Sequence, residues 1–204
     1  MNESCLLMVF AKAPIAGYAK TRLAPALGHG GAARLAARML EHTLASALAS
    51  TLGQVELCCS PDTSHPQFQL AASNPAVTLT DQGDGDLGQR MQHAFTRALA
   101  RHRIAILTGT DAPALDAAVL RQAAAALLAH DAVFAPAADG GYALVGLSRL
   151  AVGLFDGIDW STSKVMAQTR SRASTLGLTL CELATVHDID EPQDLVHIPE
   201  GWLA

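Results

Sequence analysis

The sequence is short of charge, of aromatic side chains and of any long apolar run, and each shortage removes a class of protein. Only 16% of the 204 residues are charged, and the net charge is −5. The basic surface that tracks a nucleic-acid backbone is therefore missing, and no nucleic acid polymer is expected as a partner. No uncharged apolar stretch approaches the roughly 18 residues of a membrane span, so no span is expected either. The apolar run that ends at Lys12 has no basic segment before it and reads as a first strand, not as a signal peptide. Cysteine is sparse as well. Cys5, Cys58, Cys59 and Cys181 show no C-x-x-C spacing, and no histidine follows at zinc-finger distance. They read as ordinary thiols of a reducing compartment, and a cytoplasmic location is expected.

What is present is apolar: half of the residues are hydrophobic. A chain of this length buries about 70% of its unfolded surface, enough for one core, and residues 1–204 read as a single domain with no linker-like stretch. Short β-rich runs alternate with helical patterns. Strands are expected at Leu6 to Ala11, Val55 to Cys59, Ala76 to Thr80, Ile104 to Thr108, Ala132 to Ala135, Tyr142 to Leu147 and Leu178 to Leu183. Leu35, Met39, Leu40, Leu44 and Leu48 recur at helical spacing, as do Val119, Leu120, Ala123, Leu127 and Leu128. Leu87, Met91, Phe95 and Leu99 make a third helical face, and a fourth helix is expected from Ser161, as N-cap, to about Leu176. Alternation of this kind predicts a three-layer α/β/α fold with a mostly parallel sheet. Cys58 and Cys59, adjacent in one strand, should face opposite sides of it.

Parallel strands open their C-terminal ends on one edge, where ligands of open α/β sheets bind. The first strand is followed by Lys12-Ala-Pro-Ile-Ala-Gly17-Tyr-Ala-Lys20-Thr-Arg22, a cationic stretch on an acidic protein. Such a stretch suits a small polyanion, with lysines as point charges and Arg22 as a bidentate fork. Carboxylates end the later strands: Asp111, Asp139, Asp188 and Asp190. Charged residues favour loops in any protein, but regular termination of apolar strands by Asp is a more particular pattern. A P-loop is excluded, because Pro14 and Ala19 stand where G-x-x-x-x-G-K-[ST] needs glycines.

Lys12-Ala-Pro-x-x-Gly17-x-x-Lys20-Thr-Arg-Leu23 resembles the signature of a bacterial family assigned to the nucleotide-diphospho-sugar transferase (GT-A) fold, some of whose members are labelled arsenosugar-biosynthesis glycosyltransferases. Asp86-Leu-Gly88-Gln-Arg90-Met91, Gly109-Thr-Asp111-Ala-Pro113, Asp139-Gly-Gly-Tyr142, Trp160-Ser161-Thr162 and Asp188-Ile-Asp190-Glu-Pro192-Gln-Asp194-Leu195 extend the match over nearly the whole chain. More distantly, the chain is similar to phospholactate and molybdenum-cofactor guanylyltransferases. The resemblance implies a GT-A, Rossmann-like domain, a nucleotide-sugar or NTP as ligand, a small-molecule acceptor, and Mg²⁺ or Mn²⁺ as cofactor.

Asp111, after an apolar strand and before Pro113, is the first candidate metal ligand, since hard divalent ions prefer oxygen donors. Many glycosyltransferases of the resembling fold carry Asp-x-Asp there, whereas this chain has Thr110-Asp111-Ala112-Pro113. A second carboxylate is expected from Asp188 or Asp190, which alternate along an extended segment, with Asp139 third. Asp116 fits the cap of the helix that follows, leaving Asp111 free of that duty. Glu191 and Pro192 should open a short helix. Lys20, Arg22 and Asp111 are the candidate catalytic residues. Nucleotide or substrate contacts are expected from Lys12, Gly17, Lys20, Arg22 and Arg90, and from Asp139, Gly140, Gly141 and Trp160. Two reactions fit: glycosyl transfer from a nucleotide-sugar, or nucleotidyl transfer from an NTP to a phosphorylated acceptor. A non-catalytic nucleotide-binding module is the rival outside catalysis.

Overall fold

The computed structural model describes residues 5–203. Its strands are β1 Cys5–Lys12, β2 Gly53–Ser60, β3 Val77–Asp81, β4 Ile104–Thr108, β5 Ala132–Pro136, β6 Tyr142–Leu147 and β7 Leu180–Glu182. The helices are α1 Ala24–Ser50, α2 Pro66–Ala71, α3 Leu87–Leu99, α4 Ala117–Ala126 and α5 Val165–Thr175. All seven strands join one sheet in the order β3-β2-β1-β4-β6-β5-β7. β6 alone runs backwards, pairing antiparallel with both β4 and β5, while the other pairings are parallel. The architecture is the expected mostly parallel α/β/α sheet, with that one reversed strand.

Strand alternation builds two cores, one on each face. Leu7, Val9 and Ala11 of β1 pack with Leu40 and Leu44 of α1 and Leu120 of α4. Leu6 and Met8 face the other way, onto Met91 and Phe95 of α3 and Met166 of α5. Cys58 belongs to the second core and Cys59 to the first, as a period of two requires. All four cysteines are free, and burial pushes the Cys5 and Cys59 thiols up to about 12. Among the described residues no helix is long and apolar enough to cross a membrane.

One local expectation needs correction. The helix expected from Ser161 begins at Val165, with Lys164 in the N-cap position and no side-chain cap. Ser161 has φ +62°, a left-handed conformation that leaves it in the preceding turn. α1 is interrupted at Gly28, where φ is +70° and ψ 163°. Only glycine takes such a backbone readily, so the chain bends there before the long apolar face from Ala32 onwards.

Candidate active site

β1 lies at the point where the strand order reverses. The chain leaves it towards β2 and β3 on one side and later returns to β4 on the other. A crevice opens at the C-terminal ends of β1 and β4, the place where doubly wound sheets bind ligands. β6 runs antiparallel, so the 137–141 turn between β5 and β6 reaches the same edge, as does the segment after β7. The resulting cleft, about 650 Å³, is lined by Lys12, Lys20, Arg22, Arg90, Asp111, Asp139, Gly141, Trp160, Asp188 and Asp190. That is a size suited to a small-molecule ligand. Ten of the residues expected from the sequence therefore share one cavity.

Lys20 is at its centre. Its Nζ lies 2.6 Å from Asp111 Oδ1 and 2.8 Å from Asp190 Oδ1, and donates to the Ile189 carbonyl at 2.6 Å. The Lys20 side chain is 8% exposed, against 45% for Asp111 and 38% for Asp190. Burial alone would push the ammonium's pKa down, but the two aspartates outweigh it and raise it above the ordinary value. The backbone holds this arrangement together. Ile189 N–H donates to the Asp111 carbonyl at 2.8 Å, tying the loop after β4 to the C-terminal segment. Ile189 itself is fully buried in a small third core with Leu23, Leu35 and Met39. Leu195, Ile198 and Trp202 pack against that core. The apolar side chain between the two aspartates thus anchors them beside the cationic turn that ends at Leu23.

Asp188 makes no ion pair among the described residues. It is half-buried, and its pKa is raised to about 6, first by burial and then by the carboxylates of Asp139, Asp190 and Asp111. Asp139 Oδ1 accepts from Gly141 N–H at 2.7 Å, which shapes the turn while leaving its second oxygen to the cleft. Arg90, on the first turns of α3, donates to Gln82 Oε1 at 3.0 Å. The α3 N-terminus already carries an anion: Asp86 caps it and, with Gln89, forms a capping box. Trp160 stands edge-on to Tyr142, ring centroids 6.4 Å apart, and both line the cleft.

Two expected residues do not line the cleft. Gly17 has φ +81° and serves the turn that brings Tyr18 and Lys20 round. Gly140 has φ +93°, and a Cβ there would lie 2.3 Å from the Ser163 carbonyl oxygen. Its lack of a side chain serves packing against residue 163. The caps fall as expected, with Asp116 accepting from Ala118 and Val119 N–H at 2.8 and 2.9 Å. Among the described residues neither Asp111 nor Asp190 takes an N-cap position: Asp116 has it in α4 and Glu191 in the short 3₁₀ segment Pro192–His197. His187 stacks on His197, ring centroids 3.9 Å apart. The sequence reading missed Gln82, Thr110 and Tyr142, which also line the cleft. Gln82 follows β3 at the same strand-end edge, which was the available signal. Its amide donates to the Ala11 and Cys58 carbonyls at 3.2 and 3.0 Å, fixing the oxygen that receives Arg90.

Among the described residues no three His, Cys, Asp or Glu side chains form a ready-made cage for a metal. The chemistry of the donor set nevertheless fits a hard ion. Two carboxylates and one backbone carbonyl converge on the Lys20 ammonium, all of them oxygens. Mg²⁺ needs only one or two protein carboxylates, the rest being waters and phosphates. Asp111 and Asp190, with Asp188 beside them, are the residues that would hold it.

The fold is that of nucleotide-diphospho-sugar transferases and nucleotidyltransferases. A Desulfovibrio desulfuricans G20 protein, provisionally named a nucleotide-diphospho-sugar transferase, superposes with a TM-score of 0.86 at 31% identity, over 96% of this chain and 85% of that one. A nucleotidyl transferase from Methanothermobacter thermautotrophicus gives 0.68 at 16% identity, covering 98% of each chain. Rv0371c from Mycobacterium tuberculosis H37Rv, in complex with manganese, gives 0.54 at 17% identity over 97% and 99%. None of the curated proteins matches the sequence. Residues 43–162 match the family described as "Uncharacterized protein conserved in bacteria (DUF2064)". The chain belongs to that family.

Proposed function

We propose that this chain is a metal-dependent transferase that moves a sugar from a nucleotide-sugar to a small acceptor. The observation that carries the reading is the meeting, in one cleft at the topological switch point, of the cationic 12–22 loop with Asp111, Asp188 and Asp190. Lys12, Arg22 and Arg90 supply charge-assisted donors for a diphosphate. Asp111 and Asp190 would hold Mg²⁺ or Mn²⁺, which when bound neutralises charge on a leaving diphosphate. Inversion at a sugar also needs a group that takes the acceptor's proton. A carboxylate of the cleft that does not hold the metal would supply that base. Asp139, Gly141 and Trp160, which line the same cleft, would orient the sugar or the acceptor.

A second reading is nucleotidyl transfer from an NTP with release of pyrophosphate. Thr110-Asp111-Ala112-Pro113, with one carboxylate where Asp-x-Asp is common, favours it. A phosphate nucleophile is already ionised, so positioning and charge neutralisation suffice. The test is a thermal-shift screen of nucleotide-sugars and NTPs with and without Mg²⁺ or Mn²⁺, followed by product analysis. A true ligand at about 100 times Kd adds about 2.7 kcal/mol, which at this size is a Tm shift of about 5–10 °C. Release of a nucleoside diphosphate establishes the first reaction and release of pyrophosphate the second. A screen with no metal-dependent shift for either ligand class would overturn both.

A further inference from the structure

A lysine ammonium usually ends a flexible stem in water. Lys20 does the opposite. Its backbone sits at φ +50°, ψ 40°, the left-handed region that a lysine seldom adopts. Its side chain turns inward beneath carboxylates that are themselves more exposed. The three oxygens at 2.6–2.8 Å come from the loop after β4 and from Ile189 and Asp190, up to 170 positions away in the chain. They are the same donors that suit a hard divalent ion. Meanwhile Lys12 and Arg22, in the same cleft, make no ion pair among the described residues. Arg90 likewise makes no ion pair among the described residues and is held by Gln82, so the cleft keeps three cations ready for an incoming anion and commits only Lys20 to the carboxylates.

We propose that Lys20 is an internal stand-in for the divalent cation. Its ammonium holds Asp111 and Asp190 together in the empty site and releases them when metal and nucleotide enter, turning to the nucleotide's phosphates. This rests on the transferase reading given above. A metal ion arriving alone must displace the ammonium and leave a buried cation without acceptors, which is costly. A phosphate arriving alone meets carboxylates already holding that ammonium. Together, each supplies what the other removes, since the metal takes the carboxylates and the phosphate takes the ammonium. Metal and nucleotide are thereby positively coupled, and by linkage each strengthens the other by the same factor, in the usual range of about 5- to 150-fold. Lys20 thus couples the two ligands as well as contributing charge.

The experiment is calorimetric titration of the full chain with Mn²⁺ alone, comparing wild type with Lys20→Met and Lys12→Met. Removing any nearby positive charge strengthens cation binding somewhat, and Lys12→Met measures that background. Lys20→Met should bind Mn²⁺ at least about 10-fold tighter than wild type, consistent with the coupling range above, and Lys12→Met much less so. Equal gains in the two variants, or no gain in Lys20→Met, would overturn the stand-in. A measurement on wild type covers the case in which Lys20→Met does not fold. Amine labelling followed by mass spectrometry should find Lys20 protected and Lys12 reactive in the free protein. Added Mn²⁺ should expose Lys20, and UDP or CTP added with Mn²⁺ should protect it again. If these nucleotides bind with Mn²⁺ while Lys20 labelling never changes, the stand-in falls and the transferase reading stands. If neither nucleotide nor any nucleotide-sugar binds with Mn²⁺, the transferase reading falls first.

Discussion

Two of the ion-pair clusters on this sheet differ in how many carboxylates share each cation. Glu56 of β2 meets Arg97 of α3, and the Cys58 thiol donates to Glu56 Oε1 at 3.3 Å. There one cation answers one carboxylate, and the Glu56 side chain is only 12% exposed. At the strand ends, one buried ammonium answers two carboxylates, and Asp139 stands close enough to raise the proton affinity of Asp188 beside the cleft. A balanced, closed pair has nothing left to offer a ligand. An acidic surplus beside Lys12 and Arg22, which form no ion pair among the described residues, leaves charge of both signs for an incoming metal and phosphate to complete.

That contrast can be tested from both sides. The largest effect is expected from Asp111→Asn, which should fold with a Tm close to wild type yet lower turnover by about 100- to 1000-fold, the usual cost of one charge-stabilising group. Steady-state assays with Mg²⁺ decide it, and undiminished turnover would remove Asp111 from the site. Glu56→Gln should do the reverse. Breaking a buried pair is strongly destabilising, but Arg97 is 38% exposed, so the loss is discounted to about 1–3 kcal/mol. Tm should fall by about 3–10 °C while nucleotide affinity is kept. A loss of affinity in that variant would mean the two clusters are coupled.

Arg90→Ala removes one charge-assisted donor and should weaken nucleotide binding about 10-fold, measurable by calorimetry, with the metal dependence intact. The smallest effect belongs to Asp188→Asn in metal-free protein. The folded pKa of Asp188 is above its unfolded value, so the folded state loses stability as pH rises from about 4 to about 6. Above that range the penalty is constant; below about pH 4 both states are protonated and no penalty remains. Because the group is half-exposed, the gain for Asn above pH 6 is only about 1 kcal/mol, or about 2–4 °C in Tm. Thermal scans at pH 7.5 and pH 3.5 should show the gain only at the higher pH.

Much of this comparison was legible without coordinates. Apolar runs located the strands closely because a sheet covered on both faces needs continuous hydrophobic strands. Asp116 and Glu191 announced helix starts through local geometry alone. The reversal of β6 was not legible, since a period of two carries no direction. Ser161 misled because a good capping side chain does not guarantee the backbone conformation of a cap. Gly140 looked like a site residue, and its need for glycine comes from Ser163, a neighbour that no sequence spacing marks.

The chain's own sequence determined the element order, the edge on which its loops gather, and therefore which charged residues had the chance to meet. Those follow from local propensity and from the rule that parallel strands end together. Tertiary structure alone decided that Lys20 turns inward to Asp111 and Asp190 while Lys12 and Arg22 stay open. That outcome depends on Ile189 burying itself against Leu23, a long-range packing contact whose free energy appears only once the chain is folded.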